Sequence, residues 1–238
     1  MRAVSITNRG GRKNNEDSVS YANVGDLWCF VVCDGLGGQC CGEVASQLVA
    51  EEVCNSFKQN PNLSADSLYS YLESAVKLLG IERERDENKF NMSTTIVALV
   101  TDGKEAVWAS CGDSRLYYIS NSEIIRITDD HSVAFSEFQR GMITYDEIRK
   151  SPNQNRLLKC MNSIEYFDPD ISDVQKLKSN DSFLLCSDGF WEFVNESDIE
   201  STRKKSVYPK QWLQSMLEIL HKNETEKNDN YSAVVVMV

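Results

Sequence analysis

The chain has 238 residues, 41% of them hydrophobic and 26% charged, which is enough apolar material for one large domain or two small ones. Its formal net charge of −11 argues against a nucleic-acid binder, which needs clustered Lys and Arg to neutralise phosphates. Eight cysteines and only two histidines, His131 and His221, offer no zinc spacing. The N-terminus carries no apolar signal region and no apolar run approaches the ~18 residues of a membrane span, so a reduced, cytoplasmic protein away from membranes is expected.

Residues 3–7 and 18–22 alternate weakly and predict strands around a turn, Asn8-Arg9-Gly10-Gly11, that continues as Arg12-Lys13-Asn14-Asn15-Glu16-Asp17. Glu16 and Asp17 point to opposite faces if the strand is regular, so only one of them can enter a given site directly. Residues 27–33 form an uncharged run that stops at Asp34. Gly35, Gly37 and Gly38 follow at once. This reads as a buried strand ending in a carboxylate on a glycine-rich turn that lets the backbone bend tightly.

Val44, Ala45, Leu48, Val49, Val53 and Phe57 fall on a helical stripe, and a second helix is predicted from Ser64 as N-cap, with Leu68, Leu72, Ala75, Val76 and Leu79 on its apolar face. Its charged end, residues 82–89, reads as solvated. The period then changes to two. Residues 94–100, 106–111, 115–119 and 124–128 are punctuated by Asp102-Gly103, Gly112-Asp113-Ser114 and Asn121-Ser122, which predicts an antiparallel meander. Residues 132–167 are polar with scattered apolar anchors and predict a small helical flap over the body of the domain. Strands are predicted at 171–177 and 182–186, the second ending in Asp188-Gly189 as the earlier one ends in Asp34-Gly35. A helix carrying Trp212, Met216 and Leu220 and a final strand, 231–238, close the chain. Strands that come in runs, rather than alternating with helices, point to the α+β class.

Five acids stand at predicted strand ends: Asp17, Asp34, Asp113, Asp188 and Asp229. Taken singly, each reads as a turn residue or helix cap. Together they are too many for the nearby cations, Arg12 and Arg115, to neutralise, and a carboxylate at the edge of a core is expensive unless paired. Convergence on hard divalent cations, Mg²⁺ or Mn²⁺, with a backbone carbonyl at Gly35 as a further ligand, resolves that cost. Two such ions can activate water against a phosphorus centre. Arg12 has the forked geometry to hold the phosphate.

These motifs resemble, in order and along almost the whole chain, the metal-dependent type 2C Ser/Thr protein phosphatases in their compact bacterial form. Arg12 to Ser18 is similar to the family's first motif, and Val32-Cys33-Asp34-Gly35-Leu36-Gly37-Gly38 with Gly42-Glu43-Val44-Ala45-Ser46 to its second. Met92-Ser93-Thr94-Thr95, Gly112-Asp113-Ser114-Arg115, Ile127-Thr128 with Asp130-His131-Ser132, Ser187-Asp188-Gly189-Phe190-Trp191 and Asp229-Asn230-Tyr231-Ser232 are similar to the rest. The resemblance implies one phosphatase domain over 1–238, a β-sandwich of two antiparallel sheets flanked by helices in α-β-β-α layers, with 132–167 as a flap that helps choose substrates. It implies that Asp34 bridges two ions, that Asp188 and Asp229 hold the first, and that the Gly35 carbonyl holds the second with Glu16 directly or through water. Asp17 would stand behind them, Asp113 would join Asp188 at a weaker third ion, and Arg12 would bind the substrate phosphate.

Two departures stand out. Leu36 occupies the place of a histidine that animal members use as general acid, so leaving-group protonation is expected to fall to water at the metal. Cys40 and Cys41 replace small residues beside the metal loop and are expected to pack as ordinary thiols, with oxidation there as the alternative. The expected activity is direct hydrolysis of phosphoserine and phosphothreonine in proteins that a Ser/Thr kinase has modified, by a monomeric enzyme. A non-catalytic phosphoprotein-binding module on the same fold, or a phosphatase of small metabolites, are the alternatives.

Overall fold

A computed structural model of the chain describes residues 1–36, 41–86, 89–163, 165, 167–225 and 227–238. Twelve strands and seven helices are seen among them. The first sheet has the order β1 (Arg2–Asn8), β12 (Tyr231–Met237), β11 (Ser182–Cys186), β7 (Arg115–Ser120), β8 (Glu123–Ile127). The second runs β10 (Gln175–Lys176), β6 (Glu105–Cys111), β5 (Ile96–Thr101), β3 (Leu27–Leu36), β2 (Asp17–Val24), with β4 (Ser93–Thr94) beside β3 and β9 (Asp170–Ile171) beside β6. All pairings are antiparallel.

Three apolar layers hold the molecule together. Phe30, Val32, Leu99, Phe183, Leu185, Val234 and Val236 fill the space between the sheets. Cys29, Val31 and Cys33 point the other way, into a layer formed with helices α1 (Gly42–Gln59) and α2 (Ala65–Arg85). On the opposite outer face, Leu184, Cys186, Ala233 and Val235 pack under α3 (Val133–Gln139), α5 (Asp188–Trp191), α6 (Glu196–Lys205) and α7 (Pro209–Asn223). Both faces of β3 and β11 are therefore buried, which is why those strands read as uninterrupted apolar runs rather than alternating ones.

Ser64 caps α2 as predicted, its Oγ accepting from the Ser67 amide at 3.2 Å. Two expectations are corrected, and one helix was missed. The meander is not one sheet: β5 and β6 pair in one, β7 and β8 in the other, and Gly112-Asp113-Ser114 carries the chain across. Gly112, at φ +114°, is what makes so tight a crossing possible. The strand expected over 171–177 breaks into the two-residue pieces β9 and β10. Helix α6 was hidden by its polarity; its capping box, with Asn195 accepting from the Asp198 amide, was the available signal. The flap region contains α3 and the short α4 (Tyr145–Ile148); the bridge Ser132–Leu157 closes it on itself and the bridge Thr94–Met161 joins it to the body. Gly37, Gly38 and Cys40 lie outside the described residues. Cys41 directly precedes α1 and packs against the helix-side core. Among the described residues no helix is long and apolar enough to cross a membrane.

Candidate active site

Strand periodicity delivers the acids to one place. Phe30 and Val32 face the inter-sheet layer, so Asp34, two residues on, faces the same way just past the end of the apolar filling. Val19 faces that layer too, and Asp17 lies directly across the ladder from Asp34. From the other sheet, β11 and β12 bring Asp188 and Asp229 to the same end. The crossing after β6 brings Asp113. The outcome is one cavity of about 450 Å³ lined by Arg12, Glu16, Asp34, Gly35, Asp113, Asp188 and Asp229, together with Leu36, Asn230 and, from the flap, Asn155 and Leu157. Asp17 does not line it; it is buried behind, with Oδ2 accepting from Ser187 Oγ at 2.7 Å.

The backbone that carries the acids is itself held in place. The Thr95 amide donates to the Asp34 carbonyl at 2.8 Å, Thr94 Oγ1 donates to the same oxygen at 2.8 Å, and the Asp34 amide donates to Thr95 Oγ1 at 3.0 Å. Trp191 Nε1 donates to the Asp113 carbonyl at 2.9 Å. His131 fastens the neighbouring Gly112, whose amide donates to His131 Nδ1 at 3.1 Å while its carbonyl accepts from the His131 amide at 2.8 Å. Asn230 ties the Arg12 loop to β12: its Oδ1 accepts from the Glu16 amide at 2.8 Å and its Nδ2 donates to the carbonyls of Arg9 and Asn14 at 2.8 and 2.9 Å. Its place in a motif was visible in sequence, its role was not.

Gly35 is glycine for a steric reason. A Cβ there would sit 2.2 Å from the Gly42 carbonyl oxygen and 2.6 Å from that of Glu16. The start of α1 is thus pressed against the Asp34 turn.

The electrostatics of this cluster are unfavourable as it stands. Burial, reinforced by Asp17, Asp188 and Asp113, pushes the Asp34 carboxyl well above the ordinary range. Burial and then Asp188 do the same to Asp113. Burial and Asp229 raise Asp188 to about 6, and burial, against hydrogen bonds from Ser187 and Ser232, raises Asp17 to about 7. Asp17 Oδ1 and Asp188 Oδ1 are buried without a partner. Arg12 makes one ion pair, Nη2 to Asp229 Oδ2 at 2.6 Å, and Arg115 is spent elsewhere, on Asp130. Orphaned carboxylate oxygens, an all-oxygen donor set and too few cations fit a site for hard divalent ions. No three His, Cys, Asp or Glu side chains among the described residues already close on one point.

A helix-covered β-sandwich with an acidic cleft at one end of the inter-sheet layer, and a single arginine at its rim, is the architecture of a hydrolase of phosphorylated substrates. The profile of the protein phosphatase 2C family matches residues 8–230. The serine/threonine phosphatase stp of Listeria welshimeri is 30% identical over 213 residues, spanning 86% of this chain and 83% of that protein. A crystal structure of a bacterial serine phosphatase superposes with a TM-score of 0.91 at 27% identity, covering 100% of this chain and 98% of the other. The catalytic domain of PstP, crystallised in complex with two manganese ions, has the same fold, with a TM-score of 0.85 at 24% identity and coverage of 100% and 98%. The chain belongs to the protein phosphatase 2C family.

Proposed function

We propose that the protein hydrolyses phosphoserine and phosphothreonine in other proteins by direct attack of water, with Mn²⁺ or Mg²⁺ held in the acidic cleft. Membership of its family makes it a protein serine/threonine phosphatase. Asp34 would hold two ions, Asp188 and Asp229 the first, the Gly35 carbonyl and Glu16 the second. Asp17 supports them from behind, and Asp113 with Asp188 offers a place for a weaker third. Bound there, the ions would lower the pKa of a water and neutralise phosphate charge.

The chain's own contribution is orientation and charge. Arg12 uses only Nη2 on Asp229 and is largely exposed, so its remaining guanidinium donors are free to take phosphate oxygens. Leu36 lines the cavity where it can give no proton, and neither histidine lines it. Protonation of the departing serine or threonine oxygen would then fall to water at the metal. Cysteine chemistry is not needed: Cys29, Cys33, Cys54, Cys111 and Cys186 are buried thiols, and Cys111 is pushed up to about 12 by burial. Asn155 and Leu157 bring residues 132–167 to the wall of the cleft, where this flap would help select substrates. The natural substrates would be targets of a Ser/Thr kinase, and a monomer suffices, since this chain supplies every residue named.

The observation that carries this reading is the cavity itself, which gathers Arg12 and six acid or carbonyl donors from both sheets. The test is Mn²⁺-dependent hydrolysis of p-nitrophenyl phosphate and of phosphoserine and phosphothreonine peptides, with and without chelator. Asp34→Asn should abolish turnover while circular dichroism stays native; retained turnover would remove the mechanism.

A further inference from the structure

A second cleft opens along the side of the sandwich, where β8 at the edge of one sheet parts from β9 and β10 at the edge of the other. It measures about 370 Å³ and is distinct from the acidic site in every lining residue. Its floor comes from β6. Trp108 and Ser110, two apart on one strand, share the inter-sheet face. Asp170 of β9 lies directly across the ladder from Ser110, so it shares that face. Asp129, just past β8, and Asp173, just past β9, complete a rim of three carboxylates.

The cleft is strongly acidic and not neutralised from within. Arg126 lines it, yet no Lys or Arg among the described residues stands within ion-pair distance of Asp129, Asp170 or Asp173. Asp170 meets only His131, Nε2 to Oδ2 at 3.3 Å. Burial, then Asp170 and Asp130, push the Asp129 carboxyl up against the opposing pull of His131. At the bottom, Ser110 is 1% exposed and its Oγ has no hydrogen-bond partner. Leaving a buried hydroxyl unsatisfied is unfavourable, and here it borders an open cleft rather than packed core. Trp108 is pinned at backbone level by Ser172, whose Oγ accepts from the Trp108 amide at 3.0 Å. Its ring packs on Tyr118 and Phe183, which makes the aromatic floor rigid.

We propose that this side cleft is a receptor for a guanidinium group, carried by an arginine of a protein substrate. A guanidinium has five N–H donors in a planar fork and no acceptor. It matches several carboxylates at once, can donate to the lone Ser110 oxygen, and stacks on indole. A hydrated divalent cation would gain nothing from the Trp108 floor, and the compact ammonium of lysine cannot span the rim and the buried hydroxyl together. The substrate part of the proposal rests on the phosphatase reading above; the binding part does not.

The experiment follows the Trp108 indole N–H resonance, assigned with Trp108→Phe, during titration with N-methylguanidinium. A saturable shift is expected, weaker with methylammonium, and reduced about tenfold in affinity in the Asp129→Asn/Asp173→Asn variant, which spares the His131–Asp170 contact. No saturable shift, an equal response in the variant, or a response to Ca²⁺ in place of N-methylguanidinium would overturn the proposal. A second arm measures KM for phosphopeptides in which one arginine is walked outward from the phosphoserine. KM should fall at one spacing and the gain should vanish in the variant, with p-nitrophenyl phosphate turnover unchanged. A saturable shift with no favoured spacing would keep the guanidinium site and overturn its assignment to a protein substrate in favour of a free guanidinium compound. Loss of all turnover would count against the phosphatase reading alone.

Discussion

Hydrogen bonds to Thr94 and Thr95 fix the backbone of Asp34, and its side-chain direction follows from two-residue periodicity in β3. Arg12 is its opposite: more than half exposed, on a turn, tethered by a single ion pair. An exposed pair of this kind contributes little to stability. Arg12→Ala should therefore leave the melting temperature almost unchanged and raise KM for phosphopeptides about tenfold with a smaller loss in kcat. Steady-state kinetics on a phosphopeptide check it; an unchanged KM would remove Arg12 from phosphate binding. Gly112 is a glycine whose loss reaches the site through its positive φ as well as through space. Alanine there must adopt φ +114°, and its Cβ would lie 2.6 Å from the Thr95 side chain that holds Asp34. Gly112→Ala should cost about 1–3 kcal/mol by denaturant unfolding and lower kcat as well.

At the scale of elements, the ends of strands and helices are coupled through one buried cation. Arg115 opens β7, is 1% exposed, and makes two hydrogen bonds to Asp130, at 2.8 and 2.7 Å. Its guanidinium lies 3.6 Å from the centre of the Trp191 ring, and Trp191 in α5 holds the Asp113 carbonyl. Glu196 at the start of α6 receives Arg149 from just past α4 at 2.6 Å and accepts from Tyr117 and Tyr145 at 3.3 Å. One network thus joins β7, the flap region and the helices on that face. Arg115→Met leaves Asp130 buried without its partner, and the expected destabilisation is about 3–5 kcal/mol. Chemical denaturation reads it directly; a loss below about 1 kcal/mol would show that the network is not what fastens these elements.

Across the whole molecule, stability and metal binding are linked. Asp17, Asp34, Asp113 and Asp188 all have folded-state pKa values above their unfolded values, Asp188 at about 6 and Asp17 at about 7. Without metal, the folded state holds more protons than the unfolded chain between the ordinary carboxylate range and about pH 7. The slope of unfolding free energy with pH is then negative, so this contribution is fully present below the unfolded pKa and is lost as pH rises through the folded values. Thermal unfolding in chelator should give a melting temperature that falls from about pH 5 to about pH 8. Millimolar Mn²⁺ should raise it most at the alkaline end, since a ligand that binds only the folded state stabilises it by mass action. A flat profile in chelator would mean that the acids do not repel one another.

Local sequence determined the strands, the two long helices with the Ser64 cap, and the identity of the acids, because period-two and period-3.6 burial and the placing of Asp-Gly at strand ends are written residue by residue. It also determined that Glu16 and Asp17 cannot serve alike, since adjacent residues on a strand face opposite ways: Glu16 lines the cleft and Asp17 lies behind it. Tertiary structure alone decided that β6 and β7 belong to different sheets, because a three-residue turn reads the same whether it folds back or crosses over. It alone spent Arg115 on Asp130, gave Asn230 and Trp191 their holding roles, and opened the side cleft beneath Trp108. Those outcomes depend on partners as much as 221 residues apart, as between Arg9 and Asn230, and periodicity carries no information at that range.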